Sequence, residues 1–251
     1  MLNFSSKYVS LDDNFPMNNV DRVLDEVKQN SKVKFKESDL FRVYQSIDLG
    51  NLDPKDTSMC EKMPNLMKLR ETLYCSEYRS FIEQITSLEK GTLTDKVDCA
   101  VNCHTPGCHL LCHDDVIGTR KVSYILYLTD REPEWKNEDG GRLELYESEI
   151  DEHSHSSTNG KNQSEMQRRV PKPIPAKTIL PTFNSMAFFA VEPGFSFHSV
   201  QEVFGDRPRL SIQGKFDMYV LQYSFYSRHS NNSTYMFLFI FGFQICYLIF
   251  I

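Results

Sequence analysis

His113 and Asp115 stand two residues apart in LLCHDDVIGTRKVSYILYL, and an isolated histidine, His198, follows much later in FSFHSVQEVFGDRPRLSIQGKF. On an extended chain, residues i and i+2 face the same side, so this pair is expected to point together while Asp114 turns away. Two neutral imidazoles and a carboxylate form the facial set that holds non-haem Fe(II) and leaves the opposite face open. His198 is the best third ligand. Its segment reads as a strand, and Phe195 and Phe197 beside it offer a dry wall. An HxD triplet alone is a weak signal, so the residues around the later histidine have to sharpen it.

Arg209 lies eleven residues beyond His198. In RLSIQG, Arg209, Ser211 and Gln213 alternate with Leu210 and Ile212, so the polar set shares one face. An inward-facing guanidinium needs an anion, because burying it unpaired is costly. Its planar fork suits a carboxylate in bidentate contact, and Ser211 can donate to the same group. Tyr127, on the side of Ser123 and Ile125 in RKVSYILYLTD, could complete the carboxylate pocket with its phenol. A rival reading is structural zinc, since Cys99, Cys103, His104, Cys108, His109, Cys112 and His113 crowd together. Their spacing lacks the paired CxxC turns of a strong zinc signal, which leaves zinc as an alternative only.

The elements that must position these residues follow from periodicity. In NNVDRVLDEVKQN, Val20, Val23, Leu24 and Val27 keep helix spacing, with Asn18 or Asn19 as cap. A second helical run is expected after Pro64, through Leu66, Leu69, Leu73, Phe81, Ile82, Ile85 and Leu88, stopping near Gly91. From about Lys96 the segments VDCAVNC, RKVSYILYLTD, GGRLELYES, KTILPTFN, SMAFFAVEP, FSFHSVQEVF and RLSIQGKF are short, rich in β-branched and aromatic residues, and separated by turns. Helices followed by seven or eight strands predict an antiparallel barrel or jelly roll. The expected organisation is therefore a helical layer at 1–95, a mainly β domain at 96–217 and an apolar tail at 218–251. The polar stretch EIDEHSHSSTNGKNQSEMQRRVPKPIP reads as a mobile insertion rather than a metal site, although its His153 and His155 could touch an ion.

The chain has 251 residues and a formal charge of −6, enough length for a full core and no general pull toward nucleic acid. Its N-terminus, MLNFSSKYVSLDDNFP, lacks the basic and apolar regions of a secretory signal. Seven cysteines, an odd count, then argue against a disulfide framework. From Tyr235 onward, 17 residues carry no charge, which is at the lower limit for a membrane span. That tail could be a membrane anchor, a divergent end outside the packed domain, or a terminal strand pair.

LLCHDDVIGTRKVSYILYLTD, DGGRLELY, FNSMAFFAVEPGFSFHSVQEVF and RLSIQGKF together resemble the first, catalytic domain of the Tpa1-like, or OGFOD-type, Fe(II)- and 2-oxoglutarate-dependent prolyl hydroxylases. The similarity is high from Leu110 to Phe216 and extends back through the helices. It implies a double-stranded β-helix, with iron held by His113, Asp115 and His198. It also implies that Arg209 and Tyr127 grip the far carboxylate of 2-oxoglutarate, and that ascorbate serves as a further cofactor. The implied reaction hydroxylates a prolyl residue of small-subunit ribosomal protein uS12, coupled to decarboxylation of 2-oxoglutarate to succinate. The implied setting is cytoplasm and nucleus, with a link to translation. Family members continue past the RLSIQG strand into a second β-helix domain, where this chain has its apolar tail. The departure bears on substrate binding and dimer formation. It keeps open a catalytically silent scaffold or a membrane-tethered interaction protein.

Overall fold

The computed structural model describes residues 19–152, 168–219, 236–241 and 243–249. The valine and leucine stripe expected near the N-terminus forms α1 (Asn19–Asn30), and all four of its apolar residues are buried. Two further helices follow, α2 (Thr57–Lys62) and α3 (Pro64–Tyr74), the latter opening on a proline in its first turn, where a missing N–H costs nothing. The Glu26 carboxylate ties α1 to α3, accepting the Asn65 N–H at 3.1 Å and the Leu66 N–H at 2.8 Å. The run expected to continue as one helix is broken at Cys75, which is extended (φ −73°, ψ 158°). Its Sγ accepts the Tyr78 N–H and so caps α4 (Ser76–Ile85). Leu66, Leu69, Leu73, Phe81 and Ile82 then pack in one core with Tyr124, Leu126, Ile212 and Phe216. The helices thus cover the outer face of a sheet.

The first 95 residues are not purely a helical layer. They contain β1 (Lys34–Glu37) and β2 (Phe41–Gln45), paired with each other; the charged KFKE of β1 carries little strand signal, whereas FRVYQ of β2 has β-favouring Phe, Val and Tyr. The remaining strands are β3 (Leu93–His104), β4 (His109–His113), β5 (Arg120–Tyr127), β6 (Leu143–Leu145), β7 (Ser148–Ile150), β8 (Arg169–Pro171), β9 (Lys177–Ile179), β10 (Ser185–Ala190), β11 (His198–Val200) and β12 (Arg209–Met218). A continuous path runs β10-β5-β12-β3-β2-β4-β11-β6-β9, with each of these neighbours antiparallel. It curls so that β10-β5-β12-β3 faces β4-β11-β6-β9, the double-stranded β-helix expected. β2 joins the two walls by pairing with both β3 and β4.

Strand alternation assigns each residue a face. On β12, Leu210, Ile212 and Phe216 face the helices, while Arg209, Ser211 and Gln213 share the inner face with Tyr127 and Ile125 of β5. Ile125, Tyr127, Leu143, Leu145, Ile179, Ala187 and Phe189 make up the inner apolar cluster. Strands β7 and β8 form a separate hairpin flanking 153–167, so the expected insertion, with His153 and His155, lies largely outside the described residues. Of the three readings of the apolar tail, the described backbone matches a strand pair. β13 (Met236–Phe241) pairs antiparallel with β14 (Phe243–Ile249), which runs parallel to β10. Among the described residues no helix is long and apolar enough to cross a membrane.

Candidate metal centre

Strand β4 ends at His113, β11 begins at His198, and antiparallel pairing sets these two residues opposite each other. Their ring centroids are 4.3 Å apart. Asp115 arrives by a different route from the one expected. It lies past the end of β4 with φ 61°, in the left-handed region, so a turn rather than strand alternation returns its carboxylate to the histidines. Asp115 Oδ1 lies 3.3 Å from His113 Nε2, and Oδ2 lies 3.9 Å from His198 Nε2. One ligand atom from each residue fits within a mutual spacing of 4.8 Å, the one such cluster among the described residues.

Neighbouring groups set the chemical state of each ligand. His113 Nδ1 lies 2.8 Å from the Leu111 carbonyl, and His198 Nδ1 lies 2.8 Å from the Ser196 carbonyl. A carbonyl only accepts, so both Nδ1 atoms carry the proton and both Nε2 lone pairs are free for a cation. Asp115 Oδ1 accepts from Arg120, and Oδ2 accepts from Ser123 Oγ at 2.7 Å. Burial alone would raise the Asp115 carboxyl pKa, but His113, His198, Arg120 and Ser123 together hold it well below the usual range. Burial, followed by the nearby His113, pushes His198 down to about 4 and keeps it neutral. Burial also opposes charge on His113, yet its contact with Asp115 outweighs this and raises its pKa. A neutral imidazole, a polarised imidazole and a secured carboxylate suit a divalent transition metal.

Asp114, expected only to turn away, holds the ligand-bearing loops together. Its carboxylate accepts the Val116 N–H at 3.3 Å and the Gly194 N–H at 3.2 Å. Its carbonyl accepts Ser196 Oγ at 2.7 Å, and the carbonyl of that same serine orients His198. No sequence spacing announces this clamp, because it joins two loops distant along the chain. The apolar wall also differs from expectation. Phe189 packs on His198 with centroids 4.5 Å apart, whereas Phe195 lies under the Arg169 guanidinium at 4.4 Å.

A cavity of about 170 Å³ opens onto the triad and is also lined by Asn102, Ile125, Phe189 and Gln213. Tyr127, Ser211 and Arg209 do not line this open part. They lie deeper along the same inner face, where Ser211 pairs with Tyr127 and Arg209 pairs with His104. Ser211 Oγ accepts from Gln213 Nε2 at 3.3 Å. Arg209 is fully buried, its Nε donates to the Gly141 carbonyl at 2.7 Å, and its Cζ sits 5.1 Å from the Tyr127 ring centroid. Gly141 has φ 66°, and a Cβ there would come within 2.9 Å of Arg209 Cδ, so only glycine fits at this turn. Neither terminal guanidinium nitrogen meets full hydrogen-bond geometry with a described residue, although the Tyr127 side chain interacts with the guanidinium and opposes the effect of burial on it. Burial lowers the Arg209 pKa, but guanidinium remains a cation. The donor set fits Fe(II) with a carboxylate-bearing co-substrate. The four cysteines of the zinc alternative form no metal-capable cluster among the described residues, and all four are free thiols.

Residues 99–217 match the profile of the 2OG-Fe(II) oxygenase superfamily. The chain is 44% identical over 210 residues to a prolyl 3,4-dihydroxylase OGFOD1 of Ostreococcus tauri, an alignment covering 83% of this chain and 37% of the relative. It is 35% identical over 197 residues to a prolyl 3-hydroxylase OGFOD1 of Xenopus laevis, covering 77% of this chain and 32% of that one. The chain thus spans about a third of the length of these curated relatives. Among solved structures, a Pseudomonas putida prolyl-4-hydroxylase superposes with a TM-score of 0.47 at 18% identity, covering 82% of this chain and 89% of that chain.

Proposed function

We infer that residues 99–217, which belong to the 2OG-Fe(II) oxygenase superfamily, make this chain an Fe(II)- and 2-oxoglutarate-dependent prolyl hydroxylase acting on a protein substrate. The observation that carries the reading is the convergence of His113, Asp115 and His198 on one point at the mouth of the cavity. Bound Fe(II), with 2-oxoglutarate and dioxygen, supplies the oxidising power to place a hydroxyl on an unactivated C–H bond.

The chain's own residues prepare for that chemistry. Two backbone carbonyls fix the imidazole tautomers so that both Nε2 atoms present lone pairs. Ser123 and Arg120 hold the Asp115 carboxylate, and Phe189 keeps water from the His198 side. Arg209, deeper in the barrel, is the cation available to a distant carboxylate, with Tyr127 and Ser211 beside it. These contacts hold reacting groups in one geometry, which is where a protein contributes most to such a step.

The resemblance of the HDD, DGGRLELY and RLSIQG segments supports the finer assignments. The substrate is a prolyl residue of ribosomal protein uS12, hydroxylation is coupled to decarboxylation of 2-oxoglutarate to succinate, and ascorbate sustains the iron. The protein works in cytoplasm and nucleus and bears on translation. The test is mass spectrometry of a uS12 peptide after incubation with protein, Fe(II), 2-oxoglutarate and ascorbate. The expected result is a gain of one oxygen on proline that disappears with His198→Ala. An unmodified peptide beside wild-type protein that still forms succinate would reject uS12 while keeping the enzyme class.

A further inference from the structure

The turn that delivers His198 is held from two sides. Residues 192–196 join β10 to β11, and the order Glu192-Pro193-Gly194-Phe195 has proline and glycine where a type II turn wants them. The Phe195 N–H donates to the Glu192 carbonyl at 3.0 Å, and Gly194 has φ 73°. Ser196 Oγ accepts the Glu192 N–H at 3.1 Å, which closes the turn on itself. Asp114 secures the inner side through the Gly194 N–H and Ser196 Oγ. The Ser196 carbonyl then meets His198 Nδ1, so the pose of the turn sets the direction of the Nε2 lone pair.

Arg169 of β8 holds the outer side. Its Nε donates to Ser148 Oγ at 2.8 Å, and a terminal nitrogen donates to the Ser148 carbonyl at 2.9 Å, both on the paired strand β7. Two bonds from one planar group to one residue fix the plane of the guanidinium. Its Cζ lies 4.4 Å from the Phe195 ring centroid, well within reach of a cation–π contact. The stem of the arginine is equally close to the turn. A Cβ at Gly194 would come within 3.2 Å of Arg169 Cβ and 3.6 Å of its Cγ, so this glycine supplies both the left-handed φ and the room. Strands β7 and β8 make a two-stranded sheet of their own, and side-chain contact rather than strand pairing couples them to the ligand-bearing turn.

We propose that Arg169 is a positioning residue for the metal centre. Stacked on Phe195, it fixes the 192–196 turn from outside, and the Ser196 carbonyl passes that constraint to His198. The proposal rests on His113, Asp115 and His198 being metal ligands and adds an outer support to them. Arg169 and Ser148 belong to the hairpin and to neither ligand strand, so the affinity of the metal site depends on how β7 and β8 are seated.

The experiment is calorimetric titration of Mn(II) into wild type and variants, with the melting temperature of each recorded. Arg169→Met keeps an apolar stem and removes the cation, Phe195→Leu removes the ring, and Arg169→Lys keeps a cation that can stack. Arg169→Met and Phe195→Leu are each expected to raise the Mn(II) Kd roughly fivefold, the scale of one cation–π contact. The double variant is expected to lose no more than either single one, because both break the same contact. Arg169→Lys should stay within about twofold of wild type. The d–d absorption of Co(II)-loaded protein, which follows ligand geometry, should change shape in Arg169→Met. A wild-type Kd and Co(II) spectrum in Arg169→Met, with only a lower melting temperature, would reduce Arg169 to a prop for its hairpin and overturn the proposal. Fully additive losses in the double variant would also overturn it. Folded wild-type protein that binds no Mn(II) would instead overturn the metal centre itself.

Discussion

At Asp115, four neighbours keep a buried carboxylate anionic, and at His198 and His104 burial keeps two imidazoles neutral. These states carry a pH signature in the metal-free protein. The folded chain holds His104 and His198 uncharged at pH values where the unfolded chain takes up protons, so their contribution is complete above about 6.5 and falls as the solution is acidified. His113 has the opposite sign. Its raised pKa adds stability on the acid side that is lost as pH rises through the folded value, so it partly offsets the others. Denaturant unfolding of wild type and His104→Leu at pH 7 and pH 5.5 separates the His104 share. The wild type is expected to lose about 1 kcal/mol more than the variant across that interval. Equal losses would show that His104 is not held neutral. At this scale the metal ligands were legible, because an HxD triplet and a later isolated histidine stand out by type in a chain with only seven histidines. Asp114, Phe189 and Arg120 were not, because their roles come from which loops and strands meet, and residue type does not encode that.

At the scale of elements, alternation in RLSIQG placed Arg209, Ser211 and Gln213 inward, and the stripe from Val20 to Val27 marked the first helix correctly. Two features escaped. The strands β1 and β2 are only four and five residues long, yet β2 links both walls of the barrel and contributes Gln45 to the cavity. Asp115 was expected to share a strand face with His113, but the strand stops first and a left-handed residue completes the approach. A single substitution tests how this turn is secured. Asp114→Ala removes the acceptor for the Val116 and Gly194 N–H groups and is expected to weaken Mn(II) binding by roughly tenfold. Asp114→Asn keeps an acceptor oxygen and should retain most of the affinity. Calorimetric Mn(II) titrations that find Asp114→Ala equal to wild type would show that the turn carrying Asp115 is secured without the Asp114 side chain.

Across the whole molecule, one curled sheet has two working faces. The outer face is sealed by α1, α3 and α4, and the inner face carries the triad at its mouth and a buried cation in its depth. The order of elements, helices first and strands after, made this architecture readable, since so many short strands with no room between them for crossover helices close only as a barrel or roll. The placement of the apolar tail was not readable, because a long uncharged run suits a membrane, an interface or a sheet edge equally well; its described backbone lies beside β10. The central claim is that one metal ion and one 2-oxoglutarate meet at His113, Asp115 and His198. Optical absorption of the anaerobic Fe(II) protein on addition of 2-oxoglutarate tests it most directly, because a metal-to-ligand charge-transfer band arises only when the keto acid chelates bound iron. The account predicts that band in wild type and its loss in His198→Ala. A folded wild-type protein with no band, or an equal band in His198→Ala, would contradict it.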